Sequence, residues 1–390
     1  MSRYLELLMK FDTRPWFIVN GDTNLLSKLK FTGADLKHLQ NRQVAFYFYE
    51  PLFSRSHHND RCPAFFDEDH EVHFPELDWL EDFCHNNGIK KVTAYVCDYR
   101  LKEYCEKWNL YPGIEIRTWD IFLADLCRSL VGREKHYQPD FFYKGYPFEH
   151  QVDKKYICLN YRYEGFRELM AGYLSSKWQS EGFLSFFHRH DREHFLKDLP
   201  LDPRTLSHWP QISAALERIQ TEIPLTVDTE NSKGLDAAGT SHPDADGKSN
   251  QRTEYDIYRW YNRSFLAIVN ETRYGTYCGE ISEKTLLPIQ FMRPFLVVGG
   301  PKMLRYLREM GFETFSDVWD ESYDDIEDHG ERMKKILDVL DEVLSRPLEQ
   351  LQQTLKSLEP RLLRNRRRLL YDLLPRMHQD LRQDIIKIDS

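Results

Sequence analysis

The chain of 390 residues has no Cys-x-x-Cys pair, no run of about 18 consecutive apolar residues and no internal repeat. The first absence argues against a structural zinc site, the second against a membrane-spanning helix, the third against a solenoid. The opening Met1-Ser2-Arg3-Tyr4-Leu5-Glu6 lacks the layout of a secretory leader, so the expected location is cytoplasmic. Seven cysteines, at positions 62, 84, 97, 105, 127, 158 and 278, are odd in number and fall mostly in apolar or helical patterns, as reduced thiols do. An excess of basic charge is missing too. A formal charge of -9 argues against a general nucleic-acid binder but leaves room for a local basic cleft.

What is present suits a folded enzyme-sized chain. Hydrophobic residues make up 41% and aromatic residues 14%, enough for real cores despite a mean hydropathy of -0.63. The length fits two domains. Trp16–Val19, Val44–Tyr49, Lys91–Cys97 and Ile114–Arg117 read as strands; Pro75–Asn87, Asp98–Trp108 and Trp119–Val131 read as helices, the first opened by proline and stopped by Gly88. That alternation predicts an α/β layer with a parallel sheet over Met1–His150. A second domain over Gln151–Ser345 begins with a strand at Lys155–Asn160 and a helix over Glu164–Trp178. A strand and loop over Gly182–His190 and a helix over Ile212–Ile223 follow. Thr226–Gln251 is polar, rich in Gly, Ser and Asp, and reads as a mobile insertion within that domain. Arg346–Ser390 is expected to hold C-terminal helices, with Leu348–Leu358 as one and Pro375 kinking or opening another.

The stretch from Ser264 to Gly300 organises the second domain. It sets an apolar run, Phe265–Val269, before Asn270-Glu271-Thr272, and a second run, Pro294–Val298, before Gly299-Gly300. This reads as a βαβ unit of a parallel sheet, whose ligand site lies at the carboxyl ends of the strands. Ser282, Glu283, Lys284 and Thr285 stand where a helix would begin, a natural place to hold phosphate. Pro288 disfavours a continuous helix from Glu283, which predicts a loop over Glu283–Thr285 with the helix starting nearer Pro288. An ordinary capped helix start, with Ser282 as the cap, is the plain alternative.

Glu280-x-Ser282-Glu283-Lys284-Thr285, Pro288-x5-Pro294-Phe295-x3-Gly299, Leu304–Phe315 and Asp320-Glu321-Ser322-Tyr323-Asp324 together resemble the donor half of a GT-B glycosyltransferase. The similarity is to the fucosyltransferase-like and exostosin-like enzymes of phage and bacterial surface-polysaccharide loci. It covers roughly Lys154–Leu344. It implies two Rossmann-like domains facing a cleft, a C-terminal helix returning to the first, and a nucleotide-diphosphate-sugar as donor substrate with no tightly bound cofactor and no metal. It also implies an inverting transfer to a glycan acceptor. Duplex DNA as acceptor is a variant of that reading, and peripheral membrane contact stays open.

Within that frame Lys284 and Arg162 pair with the donor diphosphate, and Arg167 matches the second basic position of the family, with Phe166 where a histidine is usual. For Arg162 and Arg167 the plain reading is ion pairing with Glu164 or Glu168. Asn270 and Glu271 end their strand at the site, and Glu271 is suited to accept from ribose or sugar hydroxyls. Glu50 is the candidate catalytic base, ending a first-domain strand, with Asp98 and Asp22 as rivals.

Two further readings belong to other classes. A chain that keeps the cores but turns over no donor would be a carbohydrate- or nucleotide-binding protein. The cluster His57, His58, Asp60, Cys62, Asp67, Asp69, His70 and His73 instead supports a metal-dependent transferase or hydrolase centred on Asp67–His73, although its spacing fits no standard ligand set. Arg364, Arg366, Arg367 and Arg368 form a basic knot read as a solvated helix face, with Arg366 snorkelling or paired inside. Asp320–Asp324 reads as capping and loop structure.

Overall fold

The structure, a computed structural model, describes residues 16–19, 37, 39–40, 42–48, 74–137, 148, 150–160, 165–186, 209–222, 255–271, 274 and 281–389. It divides into two compact units. The first takes residues up to Tyr137 together with those from Leu370 onward, and the second takes the described residues between. Both are α/β with parallel sheets. Glu50, Asp22, Arg162, the Asp67–His73 cluster and the Thr226–Gln251 insertion lie outside the described residues.

The first unit runs β1 (Trp16–Val19), β2 (Val44–Phe48), α1 (Pro75–Asn87), β3 (Val92–Val96), α2 (Leu101–Trp108), β4 (Ile114–Thr118) and α3 (Ile121–Tyr137). Its strands pair in sequence order, β1-β2-β3-β4, all parallel. Crossovers of one hand, always stepping the same way, put their helices on one face. Accordingly Val44, Phe46, Phe48, Val92, Ala94, Val96, Ile114 and Ile116 pack against Leu77, Leu80 and Cys84 of α1 and Leu101, Tyr104 and Cys105 of α2. α1 ends as its sequence requires, at Gly88 with φ of 66°.

The alternate residues of these strands need a different cover, and the last helix of the chain, Leu373–Asp389, helps to supply it. Tyr47 and Tyr95 stack with centroids 4.6 Å apart, and Trp119 meets Tyr47 edge-on at 6.0 Å. Trp119 Nε1 donates to the Met377 carbonyl at 3.1 Å and Tyr95 Oη to Asp384 at 3.2 Å, while Arg117 also pairs with Asp384. Asp120 caps α3 by accepting from Leu123 N at 2.7 Å.

The second unit runs β5 (Lys154–Asn160), α4 (Gly165–Lys177), β6 (Gly182–Phe186), α5 (Trp209–Glu222), α6 (Tyr255–Arg263), β7 (Ser264–Asn270), α7 (Glu283–Gln290), β8 (Phe295–Val298), α8 (Met303–Glu309), α9 (His329–Ser345) and α10 (Leu348–Arg367). The terminal helix is α11. The strand order is β6-β5-β7-β8, all parallel, and β7 and β8 are buried throughout, as strands covered on both faces must be.

Three elements correct the sequence reading. α7 begins at Glu283, not near Pro288: Ser282 caps it by accepting from Lys284 N, and Pro288 lies inside. A helix this short loses a single i→i−4 bond to the proline, and burial of Leu286, Leu287 and Ile289 offsets that cost. α10 continues past Leu358 through Pro360 to Arg367, and a π-helical turn at Arg368–Asp372 precedes α11, where Pro375 falls within the first turn. α6 was not anticipated. Its nine residues mix strand-favouring aromatics with charges, and burial of Trp260 and Tyr261 selects the helix.

Cys84, Cys97, Cys105, Cys127 and Cys158 are buried free thiols, and burial pushes Cys84 and Cys105 up to about 12. No helix among the described residues is long and apolar enough to cross a membrane.

The α3–α11 packing carries a pH dependence. Burial, helped by Arg128, lowers the His378 imidazole below its ordinary value of 6.5. A depressed histidine is neutral in the folded form, so its stabilising effect is complete above the unfolded value and is lost as pH falls toward the folded one. Thermal melts between about pH 7 and pH 5 should show a falling midpoint for the native chain and a flatter profile for His378→Gln.

Candidate functional site at the carboxyl edge of the second sheet

In the second unit, β5 connects through α4 to β6 on one side while β7 lies on its other side. The connections leaving β5 and β7 therefore diverge, the arrangement that marks the ligand end of an open parallel sheet. The described strands of the first unit, stepping one way, have no such point.

The strand ends at this switch point are polar and buried. Asn160, the last residue of β5, is 2% exposed, and Asn270, the last of β7, is 3% exposed. Asn270 Nδ2 donates to Asn160 Oδ1 at 2.8 Å, and Asn160 Nδ2 donates to the Ser185 carbonyl at 3.4 Å. Both amides reach Cys158 Sγ at 3.3 Å, and burial pushes that thiol up to about 12. Cys158 is thus a neutral packing group.

Glu271, 1% exposed, follows directly. Its carboxylate accepts from Ser282 N at 3.2 Å, Ser282 Oγ at 2.5 Å and Thr285 Oγ1 at 2.5 Å. A carboxylate of the chain itself therefore occupies the N-terminus of α7, the position where the sequence reading placed donor phosphate. The Ser282 hydroxyl donates to Glu271 and accepts from Lys284 N at 3.2 Å. Arg167, 3% exposed, donates from Nη2 to the Glu271 carbonyl at 2.8 Å. Arg167, Asn270, Glu271, Ser282, Glu283, Lys284 and Thr285 thus do converge. In this structure Glu271, Ser282 and Thr285 bind one another, where the sequence reading had each meeting a ligand.

Lys284 is the half-buried cation of the group. It pairs with Glu283 at 2.6 Å. Burial by itself would raise the Glu283 carboxyl; Lys284, with a backbone N–H and Arg167, outweighs burial and holds it below the ordinary carboxylate range.

Several features here carried no signal in the sequence. Phe166 at the start of α4 stacks on Tyr274 at 5.3 Å, and Arg332 lies over the other ring at 4.4 Å. Arg332, 1% exposed, donates to the carbonyls of Ile326, Glu327 and Tyr274. Tyr274 and Arg332 are 58 residues apart, and no local pattern joins them. At Gly299, which follows β8, a Cβ would sit 2.3 Å from Met303 Sδ, so any larger residue would require the Met303 side chain to shift.

Asp320–Asp324 does capping work, as read, but Ser322–Asp325 forms a short 3-10 helix and is not open loop. Asp324 accepts from Leu304 N and Arg305 N at 2.8 and 2.9 Å, and Glu321 accepts from Phe315 N at 2.6 Å and Thr314 Oγ1 at 2.7 Å. The basic knot is solvated in part: Arg364 and Arg367 are exposed, as read, and Arg366 is paired inside. Arg364 pairs with Glu313, Arg368 donates to the Met310 carbonyl at 2.9 and 2.8 Å, and Arg366 is buried with Nε donating to the Gln290 carbonyl at 3.1 Å; Arg367 is exposed. Among the described residues no group of His, Cys, Asp and Glu is placed to hold a metal. Comparison of the chain with protein-family models, with curated proteins and with solved structures finds no match.

Glu271→Ala would leave three donors at the start of α7 without their acceptor. The expected loss is about 3 kcal/mol, read as a lower denaturation midpoint, with Glu271→Gln losing less because one oxygen remains. Equal midpoints for Glu271→Ala and the native chain would show that these bonds do not hold the sheet edge together.

Proposed function

We propose that the chain is a GT-B-type glycosyltransferase, acting in the cytoplasm, that binds a nucleotide-diphosphate-sugar at the carboxyl edge of the second sheet. The observation that carries the reading is the β5–β7 switch point, where Asn160, Asn270, Glu271 and Arg167 are all buried at the sheet's end. Polar groups so placed are costly unless matched, and they collect where α/β sheets receive ligands. Three further features support it: two parallel α/β units, the clustering of residues from Leu370 onward with the first unit, and a lysine in the first turn of α7.

The geometry narrows the division of labour. Ser282 and Thr285 orient α7 through Glu271, so Lys284 is the residue of this turn to meet the pyrophosphate, joined by Arg162, which the sequence reading assigns to it. In transfer, the acceptor hydroxyl oxygen bonds to the anomeric carbon as the bond from that carbon to the β-phosphate oxygen breaks. The hydroxyl proton passes to a carboxylate, for which Glu50 remains the candidate, and the charge that grows on the diphosphate is met by the two cations. The acceptor is a glycan, and the transfer inverts the anomeric centre.

A thermal-shift series with UDP, GDP, ADP and CDP tests the reading. One diphosphate at about 100 times its dissociation constant should stabilise the native chain by about 2.7 kcal/mol. Lys284→Ala should weaken that ligand about tenfold or more, since a charged partner is lost, and should slow release of nucleotide from the sugar donor. Equal release by native chain and variant, or no shift with any diphosphate, overturns the assignment.

A further inference from the structure

The carboxylate of Glu271, suited by sequence to accept from sugar hydroxyls, is filled by three donors of its own chain. The residue before it has the opposite balance. Asn270 Oδ1 is buried and has no hydrogen-bond partner among the described residues, while its Nδ2 is committed to Asn160 Oδ1 and approaches Cys158 Sγ. Exchanging O and N of this amide is no remedy, because it would set two oxygens 2.8 Å apart. Exchanging both amides would turn Asn160 Oδ1 against the Ser185 carbonyl to which its nitrogen now donates. The orientation is therefore determined by the neighbours, and the unmatched atom is an acceptor.

Its direction follows from the same bonds. Cys158 lies two residues before Asn160, toward the body of the sheet, and the nitrogen arm of Asn270 reaches it. The oxygen arm of a planar amide diverges from the nitrogen arm, so it points away from the Asn160 Oδ1 and Cys158 Sγ that the nitrogen meets. A buried acceptor without a donor is costly, so a site that keeps one is arranged for a donor that arrives with a ligand.

We propose that Asn270 Oδ1 accepts a hydrogen bond from a sugar hydroxyl of the bound nucleotide-sugar, with Asn160 holding the amide in place. This rests on the nucleotide-sugar reading and adds to it the group that recognises the polyol. Nucleotide-sugars offer such a hydroxyl from two sources, the ribose and the transferred sugar, and both present the same donor.

The test measures binding of UDP, GDP, ADP and CDP, of their 2′-deoxy and 3′-deoxy analogues, and of UDP-glucose and GDP-mannose, to the native chain, Asn270→Leu and Lys284→Ala. If the ribose is the source, deleting one hydroxyl weakens native binding about tenfold and makes no difference to Asn270→Leu. If the transferred sugar is the source, Asn270→Leu weakens a nucleotide-sugar about tenfold and leaves its diphosphate unchanged. Should all ligands bind native chain and Asn270→Leu alike while Lys284→Ala still weakens them, water or the chain itself satisfies the atom; this inference then fails and the nucleotide-sugar reading stands. Binding of none of them overturns both. Circular dichroism reports whether Asn270→Leu folds. If it does not, the native chain decides: no loss from either deoxy analogue, and no gain from the attached sugar over the diphosphate, overturns the inference.

Discussion

The second unit depends on a single carboxylate at the end of its central strand pair. Glu271 leaves β7 with its main chain still bonded to β8, through its N–H to the Val298 carbonyl at 3.0 Å. Its side chain gathers the first turn of α7, and its carbonyl receives Arg167 from α4. Four elements meet at one residue. The interaction is strong because it joins an anion to the unpaired N–H end of a helix, where the dipole and the hydroxyl donors act in the same direction. It also limits function: a helix terminus already holding a carboxylate is not open to phosphate in the same geometry. Under the proposed function, phosphate meets Lys284, the next residue but one from the cap, and not the helix terminus itself.

A second constraint is the placing of guanidinium groups inside the same unit. Arg293, fully buried, donates to the Tyr261 carbonyl at 2.7 Å and to Asn262 at 3.0 and 2.6 Å, and Arg332 and Arg366 likewise meet main-chain carbonyls. A guanidinium has five donors in a plane, so it can satisfy several helix-end and loop carbonyls that would otherwise lie buried without partners. Each such arginine ties helices or loops distant in sequence: α6 to the start of β8, Tyr274 to α9, and α7 to α10. Of these, Arg332 also lies over the Tyr274 ring, on which Phe166 at the start of α4 stacks.

Much of the architecture was legible in the sequence because it follows from short-range rules. Strands at Val92–Val96 and Phe295–Val298 are apolar runs bounded by turn residues, and α1 is bracketed by Pro75 and Gly88. Which polar residues end the strands was legible as well, and Asn160, Asn270 and Glu271 are buried there. Misreadings arose where a local rule was overruled by packing. Pro288 predicts a break, yet the cap at Ser282 and three buried neighbours hold the helix. Arg368 reads as part of a solvated face, yet the Met310 carbonyl, distant in sequence, accepts from it.

By itself the sequence determined the alternation of strands and helices, the parallel pairing, and which polar residues stand at strand ends, because hydrophobic period and turn chemistry are encoded within a few residues of each position. Only the tertiary structure decided which of those polar residues are consumed by the chain and which remain unmatched. Glu271 and Asn270 are adjacent and equally buried, and nothing in their neighbours along the chain distinguishes them. What does is the return of α7, which brings Ser282 and Thr285 to the one, and the β5–β7 pairing, which brings Asn160 to the other.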